Sequence, residues 1–487
     1  MDFNFRMIVK IAGMIILIIG AAMIPPLIVS LLFREYETAR AFALAAGAML
    51  PVGAATVCFV KPLNTSLRTR DGILVVSLCW LLASALGTAP YIFSGVLPSF
   101  IDAFFESASG FSTTGATLIE NLYLIPKGLL FWRSFSHWLG GMGILVFVIS
   151  IFPALGISAQ NIVKAETPGP TLDKITTKIS DNAKILYLIY ISLSVVELIL
   201  LSLGKMNLFD AIIHTFSSMG TGGLSNYAGG ITSFNSVFVE VVISLFCLLA
   251  SINFANYNDL LHRRWKELFK EPELRAFLLI MFVSAFLIAI VLVVSGTYES
   301  APAALGQGFF HVISFMSTSG YVGADYSIWP AFCQWILFTL LFVGGCSASA
   351  AGGIKVIRVA VMCSLIRRNF FRQLHPRAVV PVKIGGKLLS SENVSNITVF
   401  IAAYTMVFFI GSLILALDNQ DLLTTVSAAA AAVSNTGIGF GSVAAGEPFI
   451  VFSPFSRLFL SLLMIAGRLE LFTIIILLTP YYWFPDK

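Results

Sequence analysis

Apolar stretches approaching the ~20 residues that a helix needs to cross a bilayer recur along the whole chain. They lie at 7–32, 41–60, 72–93, 129–152, 184–203, 236–256, 276–295, 332–366, 397–416 and 455–480. Read as helices, they predict an all-α membrane protein with ten transmembrane helices. Two irregularities break the pattern. The run 332–366 is too long for one helix and carries small residues in its middle. From the third crossing onward, every second connection holds a short apolar or amphipathic stretch, too short to cross, that leads into a turn rich in Ser, Thr and Gly.

These four connections are alike. The first reads Asp102-Ala-Phe-Phe-Glu-Ser-Ala-Ser-Gly-Phe-Ser-Thr-Thr-Gly115, and the second Asp210-Ala-Ile-Ile-His-Thr-Phe-Ser-Ser-Met-Gly-Thr-Gly222. The third reads Gln307-Gly-Phe-Phe-His-Val-Ile-Ser-Phe-Met-Ser-Thr-Ser-Gly320; the fourth runs from Asp421 through an alanine tract to Ser-Asn-Thr-Gly437. Aligned on a glycine preceded by a hydroxyl residue, the turns place Gly115, Gly222, Gly320 and Gly437 at intervals of 107, 98 and 117 residues. This spacing predicts two N-terminal helices (1–66) followed by four pseudo-repeats of helix, pore helix, turn and helix, at 67–157, 158–262, 263–372 and 373–487. A short helix that enters the membrane and returns as irregular backbone is tolerated only where it is buried in protein or lines a wet cavity. Four of them can close around one central pore, where rings of backbone carbonyls replace the hydration shell of a cation. Glycine suits such a turn because positive φ costs it little.

Charge then sets the orientation. Only 11% of residues are charged and 57% are hydrophobic, so the chain is not built to face water. Basic residues gather in alternate connections: Lys61, Arg68 and Arg70; Lys164, Lys174 and Lys178; Arg263 to Arg275; and Arg367 to Lys387. The opposite connections carry only Arg34, Arg40, Lys127 and Lys205. By the positive-inside rule both termini are cytoplasmic, which makes the +5 balance a topological bias and no sign of a nucleic-acid partner. The first apolar run follows Arg6 and Lys10 without a cleavage pattern and reads as a first span. The six cysteines lie in or beside apolar runs without metal-like pairing.

On these turns the chain resembles the TrkH family of bacterial potassium uptake subunits, in the Trk/Ktr/HKT superfamily, over its full length. The resemblance implies a potassium filter made of Thr113, Thr114 and Gly115; Gly220, Thr221 and Gly222; Thr318, Ser319 and Gly320; and Asn435, Thr436 and Gly437. Members with glycine at all four aligned positions are typically potassium-permeable, whereas a serine in the first turn accompanies sodium preference in plant relatives. The second turn, Met219-Gly-Thr-Gly-Gly, departs from the usual wording. The resemblance also implies K+ as the transported ion with no organic cofactor, a bacterial inner-membrane location, a homodimer, and a cytosolic TrkA-like nucleotide-binding partner.

Two further features match that family. Gly344-Gly-Cys-Ser-Ala-Ser-Ala-Ala-Gly-Gly353, followed by Ile354-Lys355, cannot hold a stable helix interior, because each Gly costs ~1 kcal/mol relative to Ala. It is expected to leave the helix as a mobile intramembrane loop, which the resemblance makes a gate involving Gly344, Gly345, Gly352, Gly353 and Lys355; close helix packing through small residues is the other reading. Arg468, inside the last crossing, sits where the family has an arginine below the filter. It would repel or pace ions there, or instead pair internally with Glu470 or another acid. Arg133 and His137 in the fourth crossing read as packing or interface residues. Acids near the outer mouth, among them Asp102, Glu106, Asp210 and Asp421, would concentrate cations, with Asp102, Asp210 and Asp421 also capping helices. Coupling to protons or sodium stays open, making a symporter the chief rival. His137, His214 and His311 are scattered over separate repeats and His262 and His375 lie in loops, which speaks against an enzyme.

Overall fold

The computed structural model describes residues 3–62, 67–143, 179–204, 206–261, 263–378 and 380–483. The end of the expected crossing 129–152, as well as Lys164, Lys174, Lys178, Lys205 and His262, lies outside the described residues. Nearly all regular structure is helical; the one described hairpin pairs Lys383–Ile384 with Lys387–Leu388.

Among the described residues, six helices are long and apolar enough to cross a membrane: Phe5–Leu32, Tyr36–Phe59, Thr69–Phe93, Lys184–Leu203, Pro272–Val294 and Ser391–Asp418. Pro454–Arg468 and Phe472–Leu478 make a seventh if their 117° bend is counted within one span. Among the described residues, continuous spans are therefore fewer than the ten runs of apolar sequence. The difference is systematic. The four helices that follow the Ser/Thr/Gly turns, Lys127–Gly141, Val237–Ser251, Ala331–Val343 and Pro454–Arg468, have 15, 15, 13 and 15 residues. At 1.5 Å per residue each covers roughly 20 Å, less than the ~30 Å hydrocarbon core. Each stops at irregular backbone: Gly143, Gly344, and Glu470 with Leu471 adopt positive φ, and Ile252 is extended. The break after Val343 falls in the small-residue tract that the sequence marks, whereas hydropathy does not register the bend after Arg468, because apolar residues continue to Leu478.

Between the longer helices lie four shorter ones, Phe100–Phe111, Leu208–Met219, Ala301–Met316 and Leu422–Ser434, each buried over most of its length. Asp421 caps the fourth by accepting from the Thr424 amide at 3.0 Å. The other two expected caps do not form. Asp102 and Asp210 are each the third residue of their helix, one turn too late to cap it. Asp102 instead pairs with Arg457 at 2.7 Å, and Asp210 accepts from Asn207, Asn226 and Tyr227.

Candidate ion-conduction site

The four short helices end in turns with one backbone. In each turn a residue of positive φ is followed, two places later, by a glycine of positive φ: Thr113 and Gly115, Thr221 and Gly223, Thr318 and Gly320, Asn435 and Gly437. The amide between them bonds back to the helix in the same way each time. Thr114 donates to Ser109 O at 2.9 Å, Gly222 to Ser217 O at 2.8 Å, Ser319 to Ser314 O at 3.0 Å and Thr436 to Ala431 O at 2.9 Å.

This corrects the register of the second turn. Gly223, not Gly222, is the counterpart of Gly115, Gly320 and Gly437, while Gly222 stands where the others have Thr114, Ser319 and Thr436. The triplet that begins at Gly220 is thus one residue early. Sequence held a usable signal. The helices Phe100–Phe111 and Leu208–Met219 both have 12 residues with aspartate third, and counting from that aspartate brings Gly115 onto Gly223.

The glycines are where neighbouring turns touch. A Cβ on Gly115 would fall closer than 3.0 Å to the Gly222 carbonyl, one on Gly223 to that of Ser319, one on Gly320 to that of Thr436, and one on Gly437 to that of Thr114. The turns therefore abut in chain order, with the fourth against the first, and backbone carbonyls line every junction. Asn435 ties that last junction by donating to Thr114 Oγ1 at 3.0 Å and to Met464 O at 2.7 Å. Each helix points its C-terminal end, the negative end of its dipole, at its turn. In three turns two hydroxyls pair beside the backbone: Ser112 with Thr114 (2.7 Å), Ser317 with Ser319 (3.0 Å) and Ser434 with Thr436 (2.9 Å).

Glu106, grouped above with acids of the outer mouth, is 2% exposed. It accepts from Thr117 Oγ1 at 2.5 Å and the Leu118 amide at 2.6 Å, and Arg133 lies 3.4 Å away. This pair holds the descending limb of the first turn against the helix that follows it.

The segment between Val343 and Val356 is irregular, with positive φ at Gly344, Ala348, Gly353 and Lys355. It does not hang free. Ala350 O accepts from Thr221 Oγ1 at 3.1 Å, and the Gly352 amide donates to Thr318 Oγ1 at 2.7 Å, so two turn threonines hold it. Its own backbone bonds to Ala250 and Ser251 and its Ser347 to Glu273. A Cβ on Gly352 would fall closer than 3.0 Å to Ser434 O, and one on Gly345 would lie 3.1 Å from Ser251 O. Lys355 is 7% exposed and donates to Ala351 O.

Arg468 reaches the same place from the last return helix. It donates to Ala350 O at 2.6 Å, and to Gly140 O and Gly141 O at 2.6 and 2.8 Å. It thereby joins the irregular segment to the end of the helix after the first turn. Glu470 is ion-paired with Arg358. The two readings of Arg468 that sequence left open are thus narrowed: Glu470 has a different partner.

Comparison with known proteins places the chain in a family. The chain matches the family model TrkH, described as a cation transport protein, over residues 39–481. It is 34% identical to the Trk system potassium uptake protein TrkH of Escherichia coli (strain K12), over 99% of both chains. It is 32% identical to TrkG of the same organism, again over 99% of each. The crystal structure of the potassium transporter TrkH from Vibrio parahaemolyticus superposes with a TM-score of 0.88 at 33% identity, covering 99% of this chain and all of that one.

Proposed function

The chain belongs to the TrkH family of cation transport proteins, and from that premise we propose that it takes up potassium through a selectivity filter formed by the four turns. The observation that carries this reading is the closed sequence of junctions at Gly115, Gly223, Gly320 and Gly437, each lined by a neighbour's carbonyl. Dehydrated K+ needs such oxygens on all sides, and four non-identical strands supply them from one chain. The architecture that goes with it is four pseudo-repeats around one central pore behind two N-terminal helices, ten crossings with broken return limbs, and both termini in the cytoplasm of a bacterial inner membrane.

In this reading the segment 344–355 and Arg468 form the gate beneath the filter. Thr221 and Thr318 supply filter carbonyls above while their hydroxyls hold the segment below, so loosening the segment also opens the path. A cytosolic nucleotide-binding subunit of the TrkA kind, docked on the basic connections 259–275 and 367–396 of a homodimer, would drive that change. It can shift the gate only by as much as it binds the two pore states differently. The deciding experiment is flux of K+ and Na+ into liposomes holding the purified protein. Passive, K+-preferring flux supports a channel, and no K+ flux at all sinks the proposal. A dependence on a proton or sodium gradient would identify the symporter, for which the fully buried Glu197, bonded to Ser218 next to the second turn, is the residue to test.

A further inference from the structure

The second turn lacks the hydroxyl pair that stands beside the backbone in the other three, because Gly220 and Gly222 replace Ser112 and Thr114, Ser317 and Ser319, and Ser434 and Thr436. The space is taken by a side chain from elsewhere. His137, on the helix Lys127–Gly141, lies so close that a Cβ on Gly222 would come within 3.0 Å of three atoms of its ring. Its own carbonyl does the same to Gly220. His137 is fully buried, and neither ring nitrogen has a hydrogen-bond partner among the described residues.

That last point separates it from the other two buried histidines. His214 bonds through both nitrogens, to Asp210 O at 2.8 Å and Ser225 Oγ at 3.1 Å. His311 does likewise, donating from Nδ1 to Gln307 O at 2.9 Å and accepting at Nε2 from the Ala324 amide at 3.3 Å. Those two are satisfied core residues. A buried imidazole with no partner costs free energy unless something else requires it, and here the ring lies flat against the backbone of a filter strand.

We propose that His137 is a positioning residue for ion selectivity: its ring takes the place of the missing hydroxyl pair and sets where the carbonyls of Gly220, Thr221 and Gly222 stand. The inference rests on the reading of these turns as the filter. It explains why residue 222 must be glycine although its φ is ordinary: Gly222 yields to the ring, whereas Gly223 is fixed by its backbone. A filter quarter held by a rigid planar group, and not by a hydroxyl that can rotate, keeps its carbonyls at a fixed distance from the ion.

The test is a double-mutant cycle in liposomes, reading K+ flux, the K+/Na+ permeability ratio and the thermal unfolding midpoint. Gly222→Ser alone forces its side chain into the ring and is expected to lower K+ flux about tenfold or more, the equivalent of ~1.4 kcal/mol. His137→Ala alone is expected to lose several-fold in K+/Na+ ratio, a change that a fall in the unfolding midpoint alone would not give. In the double variant the serine hydroxyl occupies the vacated space, as Ser319 does in the third turn, and flux and ratio are expected to return to within roughly threefold of wild type, a coupling that contacting residues show. His137→Gln, which keeps a flat polar group, is expected to hold the ratio better than His137→Ala. If Gly222→Ser does not fold alone, a folded and selective double variant still supports the proposal. A double variant no better than Gly222→Ser, or an unchanged ratio in His137→Ala, overturns it. A wild-type protein that passes no K+ would sink the filter reading instead, and the steric part of the cycle remains readable in the unfolding midpoints.

Discussion

Gly223 cannot be given a side chain, for two reasons that add. Its φ of 66° costs an L residue ~1–2 kcal/mol, and its Cβ would overlap the Ser319 carbonyl of the next turn. Gly223→Ala is therefore expected to abolish K+ preference, and Gly115→Ser to do the same at the first junction. Permeability ratios of the two variants measure this, and wild-type ratios in both would remove the glycines from the filter. A second prediction concerns Glu106 and Arg133, both 2% exposed. Removing one member of a buried pair typically costs ~3–5 kcal/mol because it strands the other. Arg133→Leu is expected to lower the unfolding midpoint sharply, and adding Glu106→Gln to recover part of the loss. At this scale the sequence was legible wherever a hydroxyl residue preceded a single glycine, as at Gly115, Gly320 and Gly437. It misled where two glycines adjoin, because either Gly222 or Gly223 satisfies the pattern and only backbone dihedrals separate them. Glu106 could not be placed either, since an acid on a short amphipathic helix gives no sign of the arginine that covers it.

Segment 344–355 could be recognised as non-helical from its glycines, yet nothing in it announces what holds it. Its anchors are far away in the chain: Thr221 is 129 residues from Ala350, and Arg468 is 118 residues from it. Replacing Thr221 and Thr318 together by Val removes the two hydroxyls that bind the segment, and basal flux is expected to rise. Arg468→Ala is expected to act in the same direction through two effects. It frees Ala350 O and the Gly140–Gly141 helix end, and it removes a positive charge that at ~8 Å and an effective dielectric of ~20 opposes a cation by roughly 2 kcal/mol. Single-channel currents of both variants check this; unchanged conductance and open probability would leave the segment a packing element. Adding Glu470→Gln to Arg468→Ala is expected to restore nothing, because Glu470 serves Arg358. The bend in the last return helix escaped sequence reading for a related reason. A helix that stops at Arg468 and resumes at Phe472 after a bend of 117° presents almost the same apolar text as one that runs straight.

Over the whole molecule, the apolar runs were enough to specify a helical membrane protein, and the short connections enough to suggest four turns of one kind. Partner contacts are a matter for experiment at this scale. On the proposed reading, neutralising Arg263, Arg264, Arg367 and Arg368 together is expected to weaken capture of a TrkA-like nucleotide-binding subunit and to blunt nucleotide-dependent current. Intact capture and intact current would leave those charges to the anionic lipid surface. The junction between the fourth turn and the first has a consequence for how the protein is made. Asn435 and Thr114 are 321 residues apart, and near the chain ends Tyr482 donates to Arg70 O at 2.7 Å across 412 residues. Contacts this distant in sequence form late, after the loop between them has been closed. Synthesis runs from the N-terminus at ~5–20 residues per second, so for many seconds the nascent chain holds one, two and then three turns with the ring still open at one side. Until Asn435 arrives the fourth junction, and with it the proposed ring of carbonyls, is missing. On the proposed reading, a chain truncated before that residue is expected to pass no K+ into liposomes, and K+-selective flux through such a chain would overturn the closed ring.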